Sequence, residues 1–227
     1  MKLIIQIPAW NEEQHLGEAL EALPTSIDGI DHLEVLVIDD GSTDRTADVA
    51  REHGASVVRL PVHRGLAVAF ATGIRACLER GADIIVNTDA DNQYDARDIG
   101  LLAAPIVSGE AQMVIGDRQV GGVGHFSPTK RLLQRLGSMV VRRLSGTEVG
   151  DATSGFRAFS RIAAQKLHVF TRFTYTLETI LQAGEAGLKV TSVPIRVNPG
   201  ENRPSRLFQS NTGLSLIHIS EPMRPKR

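Results

Sequence analysis

Cysteine, net charge and long hydrophobic runs are all scarce in this 227-residue chain, and each shortage excludes something. Cys77 is the only cysteine, so no intrachain disulfide framework and no cysteine zinc site can form, which fits a reducing, cytoplasmic setting. It lies on a helical apolar face, where inert packing outweighs reactivity. A formal net charge of −1 argues against a nucleic-acid partner bound through global electrostatics, although a local basic patch stays open. No stretch approaches the roughly 18 consecutive apolar residues of a membrane span, so no transmembrane segment is expected. The start, MKLIIQIPAW, is too short an apolar stretch for a signal peptide and reads as a first strand. Also missing are G-x-G-x-x-G and G-x-x-x-x-G-K-[ST], the usual dinucleotide and P-loop signatures. Any phosphate must then be held otherwise, by metal and arginine.

What is present suffices for one sizeable core: 42% of the residues are hydrophobic. Strand-like runs at 3–7, 34–38, 56–60, 83–87 and 112–115 alternate with segments of helical period. Leu16, Ala19, Leu20 and Leu23 make one apolar helical face, and Ala67, Phe70, Ala71, Ile74, Cys77 and Leu78 make another. The alternation predicts an α/β fold, a mostly parallel sheet flanked by helices, as a single domain over 1–212. In such sheets ligands bind beyond the carboxyl ends of the strands. Three strands end in polar clusters, PAWNEE, DDGSTD and TDADNQ, which should therefore share one edge.

The third cluster poses the sharpest question. Ile84, Ile85 and Val86 suit a strand buried on both faces, yet the run ends in Asp89, Asp91 and Asp95 with three side-chain amides. A solvated turn is the plain reading. But Asp89 and Asp91 alternate with Ala90, so in extended backbone both carboxylates point one way and repel unless a cation lies between them. An EF-hand fails, because its sixth and twelfth positions would be Tyr94 and Gly100. Mg²⁺ or Mn²⁺ shared with substrate phosphates survives, with Asp89, Asp91 and Gln93 as oxygen ligands. In VIDDGSTDRT an Asx turn explains Gly41, Ser42 and Asp44, and explains the pair Asp39 and Asp40 less well. A carboxylate there can accept from a ribose hydroxyl or a base N–H.

Arginines for phosphate are available: Arg118 after a strand, Arg157 in DATSGFRAFS with Asp151 and Ser154, and Arg196, Arg203 and Arg206 in a Pro/Gly-rich loop. Residues 127–146 form a basic amphipathic helix with five basic side chains and no acidic one, either a solvated face or a helix beside anionic lipid. From about Leu214 the pattern no longer continues the fold, and 213–227 reads as a non-native or disordered tail.

PAWNEE, VIDDGSTD, TDADNQ, GDR, DATSGFRAFS and the late arginine loop, in this order and spacing, resemble the family 2 glycosyltransferases. Within them the similarity is greatest to the dolichol-phosphate or polyprenyl-phosphate mannosyltransferases, over roughly 1–212. The resemblance implies a Rossmann-like GT-A domain and inverting transfer of a sugar, mannose or glucose, from a nucleotide diphosphate sugar such as GDP-mannose or UDP-glucose to a polyprenyl or dolichyl phosphate. It implies Mg²⁺ or Mn²⁺ held by Asp89, Asp91 and Gln93, with Ala90 beside the donor, and peripheral work at the cytoplasmic face of a membrane. Carried over by position, Pro8, Trp10, Glu12, Val37 and Asp39 line the nucleoside site. Arg118 touches the donor diphosphate or the acceptor phosphate, and Arg196, Arg203 and Arg206 serve phosphate from the late loop. Asp91, Arg118 and Arg206 are the residues expected to carry catalysis. Arg206 follows Ser205, where the family shows Ser and a basic residue, and Trp10 stands where many relatives have Tyr. A hydroxyl acceptor, a nucleotidyltransferase and a non-catalytic nucleotide-sugar-binding module are the alternatives. The nucleotidyltransferase is disfavoured by PAWNEE standing where a Gly-rich, Arg-containing loop is usual.

Overall fold

The computed structural model describes residues 1–118, 149–169 and 175–198. The described elements run β1 (Lys2–Ala9), α1 (Leu16–Glu21), β2 (His32–Asp39), α2 (Thr46–Glu52), β3 (Ser56–Arg59), α3 (Leu66–Glu79) and β4 (Ile84–Asn87). A single 3-10 turn then leads into α4 (Ile99–Val107), followed by β5 (Met113–Asp117), β6 (Arg157–Ser160), α5 (Arg161–Lys166), α6 (Tyr175–Glu185) and β7 (Val190–Pro194). The strands form one seven-stranded sheet in the order β3-β2-β1-β4-β6-β5-β7. All pairings are parallel except those of β6, which lies antiparallel between β4 and β5.

Alternation along β1 explains the layering. Leu3, Ile5 and Ile7 join a cluster with Leu16 and Leu20 of α1 and Leu102 of α4 on one face. Ile4 faces the other way, toward Phe70, Ile74 and Cys77 of α3 and Ile180 of α6. Because both faces are covered, β4 is buried at every position and reads as a continuous apolar run. Phe70 anchors the second face, stacked on Tyr175 at 3.9 Å and edge-on to Phe159 at 5.9 Å. Truncating it to alanine is expected to cost about 3–5 kcal/mol. Cys77 is buried with its thiol pushed up to about 12 by desolvation, as inert packing requires.

The five strands read from periodicity are all present, and β6 and β7 add two that the irregular second half concealed. Chain order supplies the binding edge. The connection from β1 runs to β2, whereas β4 lies on the other side of β1, so strand order reverses between β1 and β4. That switch point opens a crevice at the carboxyl ends. Ala9, Asp39, Asn87 and Asp117 end their strands there, and the reversed β6 brings its first residue, Arg157, to the same edge opposite Asn87.

Candidate active site

The loops after β1 and β2 are zipped together by short polar side chains. Asn11 N–H donates to Ser42 Oγ at 2.9 Å, Glu12 N–H to Thr46 Oγ1 at 2.8 Å, and Thr43 N–H to Asn11 Oδ1 at 2.9 Å. Gly41 sits at φ +69°, and a Cβ there would stand 2.5 Å from the Val62 carbonyl carbon, so only glycine fits this crossing. The two adjacent acids divide their work. Asp40 accepts from the Arg64 and Gly65 backbone N–H groups, both at 2.8 Å, and pairs with His63 at 2.8 Å. Its role is structural, so the pair Asp39 and Asp40 needs only one ligand-facing member. Asp39 Oδ1 accepts from Ser42 N–H at 2.9 Å, whereas Oδ2 is buried and, among the described residues, is the side-chain atom without a hydrogen-bond partner. Trp10 lies beside this carboxylate's strand end, exposed and stacked on the His63 ring at 4.0 Å.

Below the third cluster runs a buried polar chain. Gln6 Nε2 donates to Asn87 Oδ1 at 2.9 Å, and Asn87 Nδ2 donates to the Gly155 carbonyl at 2.8 Å and to Tyr175 OH at 3.1 Å. Gly155 comes so close that a Cβ would lie 3.2 Å from Asp89 Oδ1, and its N–H donates to Tyr94 OH at 3.2 Å. The DATSGFR loop therefore packs directly against Asp89. Burial, and then the Asp91 charge, push the Asp89 carboxyl up to about 7, against the opposing pull of Arg118. A buried carboxyl raised by desolvation and by a neighbouring negative charge, with Arg118 only partly offsetting them, is one that a divalent cation beside it would favour in its ionised form. Gln93 is exposed at the rim, with its N–H donating to Asp91 Oδ1 at 3.2 Å. No group of three His, Cys, Asp or Glu able to hold a metal occurs among the described residues. A cation here would be completed by substrate oxygens and water.

The arginines meet different fates. Arg118 is forked on Asp151, Nε to Oδ2 at 2.6 Å and an NH2 donor to Oδ1 at 3.1 Å, and also donates to Thr153 Oγ1 at 2.9 Å. This bond holds Asp151 below the usual carboxylate range despite burial. Arg157, read from sequence as an available phosphate ligand, is fully buried and donates to the carbonyls of Ser154, Thr176 and Ala152. Desolvation lowers it to about 10, and it braces the loop against α6 rather than meeting a ligand. Arg196, expected at phosphate, is clamped on Asp98: its N–H donates to Oδ2 at 2.6 Å and its Nε to Oδ1 at 3.0 Å. Val37, expected at the nucleoside, is wholly inside the apolar core, and Pro8 is buried beside it in the sheet. Glu12 is half-buried in the zipped loops, and Ala90 is buried between Asp89 and Asp91 in sequence. Arg203, Arg206, Ser205, the basic helix 127–146 and the tail 213–227 lie outside the described residues.

The sequence reading missed the strap after β7. Val197 bridges Tyr94, Asn198 N–H donates to the Gln93 carbonyl at 2.9 Å, and Asn198 Nδ2 donates to the Asn92 carbonyl at 2.9 Å. Asn92 has φ +55°, so this loop is held in a form most residues avoid. An asparagine spaced from the late arginines carried no signal of that role. For His63, the signal was Gly65 immediately before a strong helical period.

The family model Glycosyl transferase family 2 matches residues 4–167. Polyprenol monophosphomannose synthase of Mycolicibacterium smegmatis is 29% identical, with 97% of this chain and 86% of the relative aligned. UDP-N-acetylglucosamine–dolichyl-phosphate N-acetylglucosaminyltransferase of Methanococcus voltae is 28% identical over 84% of this chain and 83% of its own. Among solved structures, glucosyl-3-phosphoglycerate synthase from Mycobacterium tuberculosis, in complex with phosphoglyceric acid, superposes with a TM-score of 0.69 at 26% identity, covering 89% of this chain and 73% of that one. A parallel sheet with its switch point at β1 and β4, an acid pair past β4 and these likenesses agree: the chain belongs to the family 2 glycosyltransferases.

Proposed function

We propose that this enzyme is a metal-dependent inverting glycosyltransferase that moves a hexose from a nucleotide diphosphate sugar to a polyprenyl phosphate at a membrane surface. The observation that carries the reading is the acid pair Asp89 and Asp91 at the switch point, with Asp89 raised to about 7. Asp89, Asp91 and Gln93 would hold Mg²⁺ or Mn²⁺, which when bound supplies Lewis-acid neutralisation of the diphosphate leaving group. Arg118, fixed by Asp151, adds a preorganised positive charge behind that loop. Trp10 and Asp39 hold the nucleoside end, one by its exposed ring and one by its open oxygen. Arg203 and Arg206 are assigned to acceptor phosphate on the sequence pattern alone. A phosphate acceptor is already an anion at neutral pH, so its attack on the anomeric carbon needs no protein base.

No helix among the described residues is long and apolar enough to cross a membrane. Contact with anionic lipid is assigned to the segment 127–146 for its five basic and no acidic side chains. A second reading is a small hydroxyl acceptor, favoured by the phosphoglyceric acid bound in the superposable synthase. The test is transfer of labelled sugar from GDP-mannose and UDP-glucose to polyprenyl phosphate or to 3-phosphoglycerate, with Mn²⁺ or EDTA. Lipid-linked product that disappears with EDTA and in Asp91→Ala supports the first reading. Product on phosphoglycerate alone favours the second, and no product on either, in folded protein, favours a non-catalytic module.

A further inference from the structure

We propose that His63 is a positioning residue of the donor site, its imidazole backing the exposed Trp10 ring so that the indole is already oriented when a nucleoside arrives; the inference rests on the assignment of Trp10 to the nucleoside end. The two rings are stacked, with centroids 4.0 Å apart and planes inclined by 22°. Trp10 is still 39% exposed, so indole surface is left for a ligand. Both rings hang from one buried residue. Asp40 donates its backbone N–H to the carbonyl of Ala9, the neighbour of Trp10, at 2.9 Å. Its carboxylate, 2% exposed as a residue, pairs with His63 Nδ1 at 2.8 Å and accepts from the Arg64 and Gly65 backbone N–H groups, both at 2.8 Å. A carboxylate accepts, so Nδ1 carries the hydrogen and this bond sets the direction of the ring. The backbone beneath the ring is fixed as well, since a Cβ added at Gly41 would stand 2.6 Å from the His63 nitrogen.

An unsupported indole just past a strand end turns about two side-chain bonds, and a ligand that stacks on it must stop that motion at a cost in affinity. A ring held beforehand removes the cost. A stacked aromatic pair is worth the equivalent of about two- to tenfold in an equilibrium constant. The anchoring also argues against a plug. A ring that filled the nucleoside's place would have to leave when ligand entered, whereas this one is tied to a buried acid that also fixes the backbone on its C-terminal side. The two contacts of His63 can be separated by substitution. Asparagine keeps a side-chain N–H for Asp40 and has no ring, and phenylalanine keeps a ring for Trp10 and has no donor. The His63 side chain is 46% exposed, so either change is made at the surface.

Trp10 is the only tryptophan in the chain, so intrinsic fluorescence reports it alone. The experiment measures the anisotropy decay of Trp10, and the calorimetric affinity for UDP and GDP with Mn²⁺, on wild type, His63→Ala, His63→Asn and His63→Phe, with Trp10→Ala as the affinity control. His63→Ala and His63→Asn are expected to speed the local motion of the indole and to weaken whichever nucleotide wild type binds by about two- to tenfold. His63→Phe is expected to return both readings toward wild type. The melting temperature of His63→Asn should match wild type because the Asp40 bond is kept, which separates the ring from a merely structural role. A His63→Asn protein that melts as wild type and keeps its nucleotide affinity overturns the proposal, and tighter binding in it identifies the imidazole as a competitor for the nucleoside's place. A His63→Phe protein as weak as His63→Ala at equal melting temperature overturns it too. Wild-type affinity in Trp10→Ala removes the assignment of Trp10, and this inference with it, while leaving the donor site standing. No binding of UDP or GDP by folded wild type removes the donor site itself.

Discussion

The two flanks of the binding edge are held by different chemistry. On the side of β1 and β2, neutral hydroxyls and amides bond to backbone: Ser42 to Asn11, Thr46 to Glu12, Asn11 to Thr43. On the side of β4 to β7, arginines paired with acids or spread over carbonyls do the holding: Arg118 on Asp151, Arg196 on Asp98, Arg157 on three carbonyls. The first flank is closed mainly by side-chain acceptors on backbone N–H groups, carboxylates such as Asp40 included, and its charges stay local. A charged scaffold fixes positive potential near a diphosphate, at the cost that each cation used as a brace is less available as a ligand. Sequence alone shows arginines on the second flank but not which of them are already spent.

The strongest way to break this contrast is Arg157→Leu. If the guanidinium is a brace, its loss strands buried carbonyls and destabilises the protein by about 3 kcal/mol or more in urea unfolding. A ligand-binding arginine would instead leave stability intact and weaken substrate. Next is Asp91→Ala, expected to lower transfer at least about a hundredfold while the melting temperature of metal-free protein holds or rises, because repulsion with Asp89 is relieved. Burial of Asp89, with that repulsion second, gives a pH signature. Asp89 is raised to about 7 from its ordinary 3.8, so the folded state keeps a proton that the unfolded chain releases. The associated stability is fully present below about pH 3.8 and is lost as pH rises through about 7 in metal-free protein. Melting curves across that window, with and without Mn²⁺, check it: the metal should flatten the fall, and Asp89→Asn should abolish it. Asn198→Ala is expected to loosen the metal loop and raise the Mn²⁺ dissociation constant about tenfold, read by calorimetry. The smallest effect belongs to the exposed pair Arg45 and Glu52, where Arg45→Ala should change stability by less than about 0.5 kcal/mol.

The first half of the sheet was legible because its strands are continuous apolar runs and its helices carry clean stripes. Phe70, Ile74 and Cys77 are buried as their spacing requires. The second half was not, since β6 holds only four residues and runs antiparallel between two strands that pair in parallel elsewhere. The close approach of Asp89 and Asp91 past β4 was legible from their alternation at a strand end. Asp40 was not separable from Asp39, because neighbouring carboxylates look alike until the loop carrying Arg64 and Gly65 folds over one of them. The partners of Arg196 and Arg157 were hidden for a similar reason: a guanidinium suits phosphate, carboxylate and backbone carbonyl alike, and only the fold shows Asp98 beside the first and three carbonyls around the second.

The reversed strand β6 has a further consequence. Arg118 and Asp151, thirty-three positions apart, are pinned side by side at the binding edge. The segment 119–150 therefore begins and ends beside one largely buried ion pair, so a single substitution such as Asp151→Asn acts on both of its ends at once.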